Sequence, residues 1–392
     1  MMWIPREIEQ VLGEAAGSRP AVMVTGSRQA GKTSLLTRAF PGHTYVSLDL
    51  PVLAERAERS GGEFLAAYPP PAILDEVQHA PALLRHVKAD IDAHRDETGR
   101  FLITGSQRFL LMQGVAESLA GRCSIVELHS LSGREIASST GGRVDRRGLL
   151  DLMFAGGYPE LHARGLDPVR WFSDYVATYL ERDVRSLLNV RSLRDFDRFL
   201  RLCASRTGQL VSYSSIASDV GVSPNTVRGW FSVLEASCVV LLVEPYYENL
   251  GKRVVKSPKL YFLDTGLACF LAGMRGPDDL ERSSLLGAMF ETHVLGQMVR
   301  RQANRGLPVS LYFYRDRQGR EVDFVIPAGG RFHLVECKWT ESPPSRLRGF
   351  EEFRAVAGPD AIASMTVVTP DPGRPLEGGV STADAIAMDF VP

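Results

Sequence analysis

The stretch Gly26-Ser-Arg-Gln-Ala-Gly-Lys-Thr33 decides how the rest of the chain is interpreted. It fits the pattern G-x-x-x-x-G-K-[ST] of a phosphate-binding loop. The apolar run 21–25 precedes it, and the run 32–40 follows with apolar side chains at helical spacing. A strand, a glycine-rich loop and a helix suit a phosphate, because backbone N–H groups and the N-terminal end of a helix together attract an anion. The stretch therefore predicts a nucleotide-binding site.

The residues of this loop have predicted parts in the site. Lys32 is expected to reach the outer phosphates, and the hydroxyl of Thr33 is expected to bind Mg²⁺. The alternative is a chance match on an ordinary strand–turn–helix, which the matching flanks disfavour. The predicted contact residues are Gly26, Ser27, Arg28, Gln29, Ala30, Gly31, Lys32, Thr33 and Ser34.

Two adjacent acids end an apolar run, Ala-Ile-Leu, that follows three prolines. Asp75 is expected to help hold Mg²⁺, and Glu76 is expected to polarise the attacking water, since in-line hydrolysis needs an oriented nucleophile. Adjacent acids are also common at ordinary strand ends. The phosphate-binding loop upstream favours the functional interpretation.

A third apolar run, residues 101–104, ends in hydroxyl side chains. A polar residue at this strand end can sense the γ-phosphate or position the water. Ser106 is the first candidate for this part and Thr104 is the second. A strand that simply leaves through a Thr-Gly-Ser turn fits the pattern equally well.

The composition excludes several classes of protein. The chain has 392 residues, enough for two or three domains, and a net charge of −1, so DNA would have to meet a local basic surface. Its five cysteines form no C-x-x-C pair, which argues against a disulfide framework and a cysteine zinc site. No apolar run approaches the length of a membrane span. These observations lead us to expect a cytoplasmic protein without a membrane partner.

Four motifs together carry a family resemblance. GSRQAGKT, AILDEVQ, LITGS and SLAGR occur in this order and resemble the motifs of an AAA+-type ATPase. More narrowly, they resemble a prokaryotic group in which such a core precedes a C-terminal domain long described as of unknown function. The resemblance implies ATP and Mg²⁺ as ligands and a homo-oligomer.

The resemblance also assigns a part to Arg122, the last residue of SLAGR. It would be an arginine finger that reaches the nucleotide of a neighbouring subunit. A cation near the transferred phosphoryl group stabilises the charge of the transition state. A solvated arginine after a helix-capping glycine is an equal alternative.

The middle of the chain predicts helices and then a helix-turn-helix. Residues 149–205 have a helical pattern. In the stretch 213–230, Gly221 suits the turn, and Ser223 and Pro224 suit the start of the second helix. In a DNA-binding protein this helix start enters the major groove, whereas other winged helices serve as protein contacts. The residues expected to meet DNA are Asn225, Thr226 and Arg228 on this helix, and Lys252, Arg253 and Lys256 on the loop of a wing.

The last part of the chain carries a second constellation of charged residues. Glu336 and Lys338 are two apart on a predicted strand and so share one face. Asp323 lies on the neighbouring strand of a predicted hairpin, and Glu291 lies on the preceding helix. Buried carboxylates are costly unless they are paired or bind a metal, and oxygen ligands suit Mg²⁺. Lys338 is expected to orient or activate a metal-bound water for attack on a phosphodiester.

This constellation resembles the restriction-endonuclease-like nucleases, whose PD-(D/E)xK signature is an Asp, a gap and then Glu-x-Lys. Glu291 matches the helix acid that many of these nucleases add. The predicted metal ligands of the domain are therefore Glu291, Asp323 and Glu336. The alternative is a Glu–Lys pair on a half-exposed sheet beside an unrelated acid.

The sequence as a whole predicts an α/β protein with four parts. These are an AAA+ P-loop ATPase core (1–135), a helical lid (136–205), a winged helix-turn-helix (206–273) and a C-terminal α/β restriction-endonuclease-like domain (274–392). The leading hypothesis is an oligomeric, Mg²⁺- and ATP-dependent ATPase that acts on DNA. One alternative is a nucleotide-gated switch or scaffold that binds without cleaving. Another is a nuclease regulated by its ATPase part.

Overall fold

The computed structural model describes most of the chain. The described residues are 2–105, 118–141, 144–180, 192–246, 255–340, 347–371, 376, 379–388 and 391. Three residues of the predicted sites, Ser106, Lys252 and Arg253, lie outside them. Among the helices that the described residues form, none combines the length and the apolar character that crossing a membrane requires.

A five-stranded parallel sheet forms the first part of the molecule. Its strand order is β2-β3-β4-β1-β5. Every residue of β1, β3 and β4 is buried, as expected for parallel strands covered on both faces. The strands are β1 (Ala21–Thr25), β2 (Thr44–Ser47), β3 (Ala72–Asp75), β4 (Phe101–Thr104) and β5 (Cys123–Glu127). The helices around them are α1 (Glu9–Ser18), α2 (Lys32–Ala39), α3 (Pro51–Arg59), α4 (Gly61–Ala67) and α5 (Leu83–Ala93), with a 3₁₀ turn at Val77–His79.

The middle part is mostly helical and carries a small antiparallel sheet. Its helices are α6 (Gly133–Thr140), α7 (Arg146–Ala155), α8 (Pro159–Arg164), α9 (Pro168–Tyr175), a π-helical turn Val176–Leu180, α10 (Leu193–Ser205), α11 (Tyr213–Val220) and α12 (Pro224–Ala236). The strands β6 (Gln209–Leu210), β7 (Val240–Val243) and β8 (Lys259–Phe262) have the order β6-β8-β7.

The two helices expected in the stretch 213–230 are present as α11 and α12. Gly221 ends α11 with a φ of 89°, in the left-handed region that favours glycine. The Ser223 side chain accepts a hydrogen bond from the Thr226 N–H, which caps α12. The local sequence signals therefore act as expected, while the winged-helix assignment stays a prediction.

The last part is a mixed sheet with the order β13-β12-β11-β10-β9. The pairs β9–β10 and β10–β11 are antiparallel. The hairpin between β10 and β11 turns through Gly329 and Gly330, as predicted. The pairs β11–β12 and β12–β13 are parallel. The strands are β9 (Tyr312–Arg315), β10 (Glu321–Ala328), β11 (Arg331–Cys337), β12 (Ile362–Thr369) and β13 (Val380–Asp384). The helices are α13 (Thr265–Leu271), α14 (Pro277–Arg282), α15 (Leu286–Asn304) and α16 (Arg348–Ala357), with a 3₁₀ turn at Pro359–Ala361.

Helix α15 lies in the middle of the protein. Most of its residues are buried, around the whole circumference, which is typical of a helix enclosed by other elements. Two of its polar side chains form hydrogen bonds with the segment 130–133, which follows β5. Gln297 Oε1 accepts a hydrogen bond from the Gly133 N–H at 2.7 Å, and the Arg300 guanidinium donates to the Ser130 carbonyl at 3.0 Å. One apolar core extends from Leu149 to Val391, across the predicted boundaries near 205 and 273, and those boundaries stay a prediction.

The contact of α16 with the last sheet gives a test of the fold. A Cβ atom at Gly349 would lie 1.7 Å from the Glu321 carbonyl oxygen, so the helix must shift if any side chain is present. We expect Gly349→Ala to lower the free energy of unfolding by about 1–3 kcal/mol. Urea denaturation monitored by circular dichroism measures this change.

The matched control is Gly287→Ala, at the same helical position in α15. A Cβ atom there meets no described atom within 4 Å, so the substitution should be neutral or stabilise the helix by up to about 1 kcal/mol. Equal effects of the two substitutions would contradict the packing of α16 on β10.

Candidate functional site

The loop Gly26–Thr33 wraps around the N-terminal end of α2. Gly26 has a φ of 132°, and a Cβ atom there would lie 1.9 Å from the Leu128 carbonyl oxygen, so only glycine fits. Gly31, with a φ of 92°, immediately precedes the helix. The Lys32 ammonium donates to the carbonyl oxygens of Gly26 at 3.1 Å and Ser27 at 2.9 Å. Burial lowers the pKa of Lys32, and the nearby charge of Glu76 opposes this effect. This is the geometry of an anion site.

The carboxylate of Asp75 is held at the end of β3 by three hydroxyl groups. The Thr33 hydroxyl donates to Asp75 at 2.9 Å, which brings together two residues that the sequence predicted as magnesium ligands. The Thr104 hydroxyl donates to the same carboxylate. The Tyr45 hydroxyl, on the neighbouring strand β2, donates to it at 3.0 Å. Oxygen ligands beside a phosphate-binding loop fit Mg²⁺, because this ion prefers carboxylate and hydroxyl oxygens.

Tyr45 was not predicted from the sequence. Its strand pairs with β3 in parallel, with Tyr45 opposite Ile73, so its hydroxyl can reach the end of β3. Burial, and then the charge of Asp75, raise the pKa of Tyr45 to about 12, so the phenol keeps its proton at neutral pH. A tyrosine on the strand next to the acid pair is the signal that could have identified it.

Glu76 has an unusual backbone conformation beside this carboxylate. Its φ is 55°, which is uncommon for a residue other than glycine and is typical of functional positions. The Glu76 N–H donates to the Thr104 hydroxyl at 3.2 Å, and the Gln78 amide donates to the Glu76 carboxylate. Thr104, the second candidate for the sensing position, therefore contacts both acids. Ser106, the first candidate, lies outside the described residues.

A cavity of about 320 Å³, which the sequence did not predict, lies beside the loop. Helix α8, through Pro159 and Ala163, forms one wall, and the N-terminal segment forms the other. Arg6 fixes that segment to the loop, because its guanidinium donates to the Ala30 carbonyl at 3.0 Å. The cavity is lined among others by Trp3, Ile4, Gln29, Gly31, Ser34 and Glu160.

Arg122, the predicted arginine finger, is paired within its own chain. Its guanidinium donates to the two carboxylate oxygens of Asp92 at 2.8 and 3.1 Å. This contact lowers the pKa of Asp92. A role toward a neighbouring subunit would require Arg122 to leave Asp92, and that role stays a prediction.

The four residues predicted for the nuclease-like site lie close together. The Lys338 ammonium donates to Glu336 at 2.7 Å on the half-exposed side of the cluster. Asp323 is buried, and its carboxylate accepts a hydrogen bond from the Cys337 N–H at 2.8 Å. One ligand atom from each of Glu291, Glu321 and Asp323 lies within 4.8 Å of the others, a spacing that fits one oxygen-seeking cation.

Burial and mutual repulsion shift the ionisation of this cluster. Burial, and then the charges of Glu291 and Glu336, raise the pKa of Asp323 well above its usual value. Burial also raises the pKa of Glu336. Burial opposes the charged form of Lys338, but the carboxylates of Glu336 and Asp323 raise the pKa of this lysine. Perturbed acids of this kind are common at functional sites.

Three residues of the cluster, Lys259, Tyr261 and Glu321, were not predicted because they come from outside the signature. Lys259, on β8 of the middle part, forms ion pairs with Glu291 at 3.0 Å and with Glu321. The Tyr261 hydroxyl, two residues further along β8, donates to Glu291. Burial would lower the pKa of Lys259, but the charges of Glu291, Asp323 and Glu321 raise it. The sequence signal that could have identified Lys259 is a lysine in a strand whose other residues are apolar or aromatic.

Three of the four described residues that are expected to meet DNA are exposed. Asn225 and Arg228 are exposed at the start of α12, Thr226 is half-buried, and Lys256 is exposed before β8. The Arg228 guanidinium lies over the Tyr213 ring, 4.9 Å from its centre.

The chain matches three protein families along its length. Residues 18–137, which include the parallel sheet and the phosphate-binding loop, match the AAA domain. This match confirms the AAA-type core that the sequence predicted. Residues 146–278 and 286–382 match two families that are each described as a domain of unknown function (DUF8612 and DUF4143).

Two curated proteins are similar over most of the chain. They are Uncharacterized protein Rv2008c of Mycobacterium tuberculosis and Uncharacterized protein Mb2031c of Mycobacterium bovis. Each is 34% identical over 343 residues, which are 86% of this chain and 74% of the relative.

Similar solved structures include the Walker-type ATPase PABY2304 of Pyrococcus abyssi. It is 15% identical, with 69% of this chain and 96% of that chain covered and a TM-score of 0.45. The RuvB Holliday junction branch migration motor of Thermotoga maritima is 16% identical, with 61% and 90% covered and a TM-score of 0.32.

The hydrogen bond from Tyr45 to Asp75 can be tested by removing one hydroxyl group. We expect Tyr45→Phe to lower the free energy of unfolding by about 1–2 kcal/mol, because a buried carboxylate loses a donor. Urea denaturation at neutral pH measures the loss. The control is Tyr68→Phe, since the ring of Tyr68 packs on Phe64 and its hydroxyl makes no hydrogen bond with the described residues. This control should change the stability by less than about 0.5 kcal/mol. Equal stabilities of the two variants would contradict the role of Tyr45.

Proposed function

The chain belongs to the family that includes Rv2008c and Mb2031c, and we propose that it is an ATPase that binds and hydrolyses ATP with Mg²⁺, assembles as a homo-oligomer and acts on DNA. The observation that carries the proposal is the contact of Thr33 with Asp75 next to the anion site. Two residues distant in sequence meet where a phosphate-binding loop requires a magnesium site.

The residues of the loop have separate parts in binding and hydrolysis. In this structure the Lys32 ammonium donates hydrogen bonds to two carbonyl oxygens of the loop. When a nucleotide binds, its phosphate oxygens would accept these hydrogen bonds instead. Thr33 and Asp75 would hold Mg²⁺, which neutralises the charge of the phosphates when it is bound. Glu76 would orient the attacking water, and Thr104 fixes the relative position of the two acids.

The cavity beside the loop supports an adenine nucleotide. Its lining is mainly apolar, and about 320 Å³ suits a planar base with part of its ribose. Glu160 lines this cavity, and its carboxylate accepts a hydrogen bond from the Trp171 indole at 3.1 Å. A carboxylate can accept further hydrogen bonds, and adenine offers an exocyclic amino group as a donor.

The proposed contact with DNA rests on the start of α12 and on the C-terminal cluster. Asn225 and Arg228 are side chains of the types that read bases and phosphates, and both are exposed. Asp323, Glu336 and Lys338 match a nuclease signature in sequence and lie together in space. We propose that this domain is nuclease-like and that it meets branched or broken DNA.

A second candidate function is a nucleotide-gated switch or scaffold. The pairing of Arg122 with Asp92 inside the chain favours it, because the expected arginine finger is engaged elsewhere. In that case ATP would order an assembly, and the C-terminal domain would bind DNA or protein without cleaving. A third candidate is a nuclease whose ATPase part is regulatory.

Steady-state ATP turnover tests the ATPase. We expect Lys32→Ala to remove nucleotide binding and Glu76→Gln to keep binding while turnover falls by about 10²-fold or more, because only the second residue acts on the attacking water. Binding is measured with a fluorescent ATP analogue and Mg²⁺. Lys88→Ala on α5 is the control for the loss of a positive charge and should equal the parent. Unchanged binding by Lys32→Ala would overturn the assignment.

DNA experiments separate the three candidate functions. The proposed function predicts that single-stranded, duplex or branched DNA stimulates ATP turnover. It also predicts that Arg228→Ala weakens DNA binding by about 1–3 kcal/mol, as measured by fluorescence anisotropy. A scaffold would turn over ATP slowly and regardless of DNA, and Glu336→Ala would equal the parent. A regulated nuclease would cut DNA with Mg²⁺ but without ATP, and Lys32→Ala would leave the cutting intact.

A further inference from the structure

The acidic cluster of the last sheet already holds a cation that belongs to the protein. Lys259 is only 2% exposed, and its ammonium group pairs with both Glu291 and Glu321. These are two of the three carboxylates whose ligand atoms lie within 4.8 Å of one another. A buried ammonium group is stable only when it is paired in this way. The position that suits a divalent ion is thus adjacent to an internal positive charge.

The source of this charge matters, because Lys259 does not belong to the sheet that carries the acids. It lies on β8, whose partners are β6 and β7 of the middle part. Glu291 lies on α15, and Glu321 and Asp323 lie on β10. The cluster is therefore built from three separate elements, and β8 supplies its buried cation.

The two lysines of the cluster differ in their access to solvent. The Lys338 side chain is 37% exposed and pairs with Glu336, so an ion from solution can approach the cluster beside this pair. The Lys259 side chain is only 3% exposed and is enclosed by the protein. An entering divalent ion would therefore meet the buried charge of Lys259 at the carboxylates with which this lysine is paired.

We propose that Lys259 is a positioning residue that competes with a divalent cation for the carboxylates of Glu291 and Glu321. The inference rests on the proposed nuclease-like function of this domain, with Glu291, Glu321 and Asp323 as metal ligands, and is independent of ATP hydrolysis. Mg²⁺ and the ammonium group require the same carboxylate oxygens, and like charges a few ångströms apart repel each other. With Lys259 in place, the cluster binds a divalent ion weakly. Without the Lys259 charge, the three carboxylates are available as ligands.

Binding of Mn²⁺ to the nucleotide-free, full-length protein tests this inference, with free Mn²⁺ followed by electron paramagnetic resonance. Lys259→Met has a similar length but no charge. We expect it to bind one additional Mn²⁺ at least about ten-fold more tightly than the parent, because one buried positive charge is removed. The double variant Lys259→Met, Glu291→Gln should lose this ion.

Two controls separate a local effect from a change in overall charge. Lys88→Met removes the same charge from α5, away from the acidic cluster, and should bind Mn²⁺ as the parent does. Lys259→Arg keeps the charge and should also keep the weak binding. Circular dichroism and binding of a fluorescent nucleotide at the phosphate-binding loop report whether each variant is folded.

A measurement on chains that retain Lys259 covers the case in which Lys259→Met does not fold. If the parent binds Mn²⁺ tightly and Glu291→Gln alone removes that ion, the inference is wrong and the metal centre stands. If a folded Lys259→Met variant binds no additional Mn²⁺, the inference is also wrong. If neither chain binds Mn²⁺ through Glu291, the metal centre is wrong as well, while the ATPase assignment is untouched.

Discussion

The enclosure of α15 is the constraint on which the rest of the structure depends. A helix that is buried on all sides cannot be removed without exposing apolar surface on each of its neighbours. Hydrogen bonds from the polar side chains of α15 fix its orientation relative to its neighbours. Arg300 donates to Ser130 of the first part and to the Leu263 carbonyl at the end of β8, at 2.9 Å. The Thr292 hydroxyl pairs with that of Thr207 at 2.8 Å. The three parts are therefore packed around one element.

This packing places two sites of opposite charge preference in one molecule. At the phosphate-binding loop, the Lys32 ammonium is satisfied by neutral carbonyl groups, so its positive charge is available to an anion. In the C-terminal cluster, by contrast, the carboxylates are partly neutralised by Lys259 and Lys338. Both arrangements follow from the same physical requirement, because a charge away from water must be paired or hydrogen-bonded.

The segment after β8 forms hydrogen bonds with two other parts of the molecule. Ser130 follows β5 of the first sheet, and its hydroxyl donates to Asp264, directly after β8, at 3.1 Å. Asp264 accepts a further hydrogen bond from the Gly157 N–H at 2.9 Å, just before α8. Helix α8 in turn lines the cavity beside the phosphate-binding loop. The strand that carries Lys259 thus begins in the acidic cluster, and the residue soon after its end is hydrogen-bonded to the segments that follow β5 and precede α8.

The sequence by itself determined the elements whose signals are local. The loop Gly26–Thr33, the cap at Ser223 and the hairpin at Gly329 and Gly330 follow from spacing and turn chemistry within a few residues, and the structure has each of them. The acid pair at the end of β3 was also predictable, because the end of an apolar strand is a local feature. The family match over residues 18–137 agrees with the predicted AAA-type core.

Only the tertiary structure decided which distant residues meet. Tyr45 reaches Asp75 because β2 pairs with β3, and no spacing rule in the sequence fixes which strands are neighbours. Lys259 reaches Glu291 for a similar reason, since α15 packs on β8 across a long separation in sequence. Such contacts depend on how apolar faces fit together in three dimensions, whereas sequence patterns report only which face each element buries. The pairing of the acidic cluster with Lys259 therefore could not be predicted from the sequence and is apparent only in the tertiary structure.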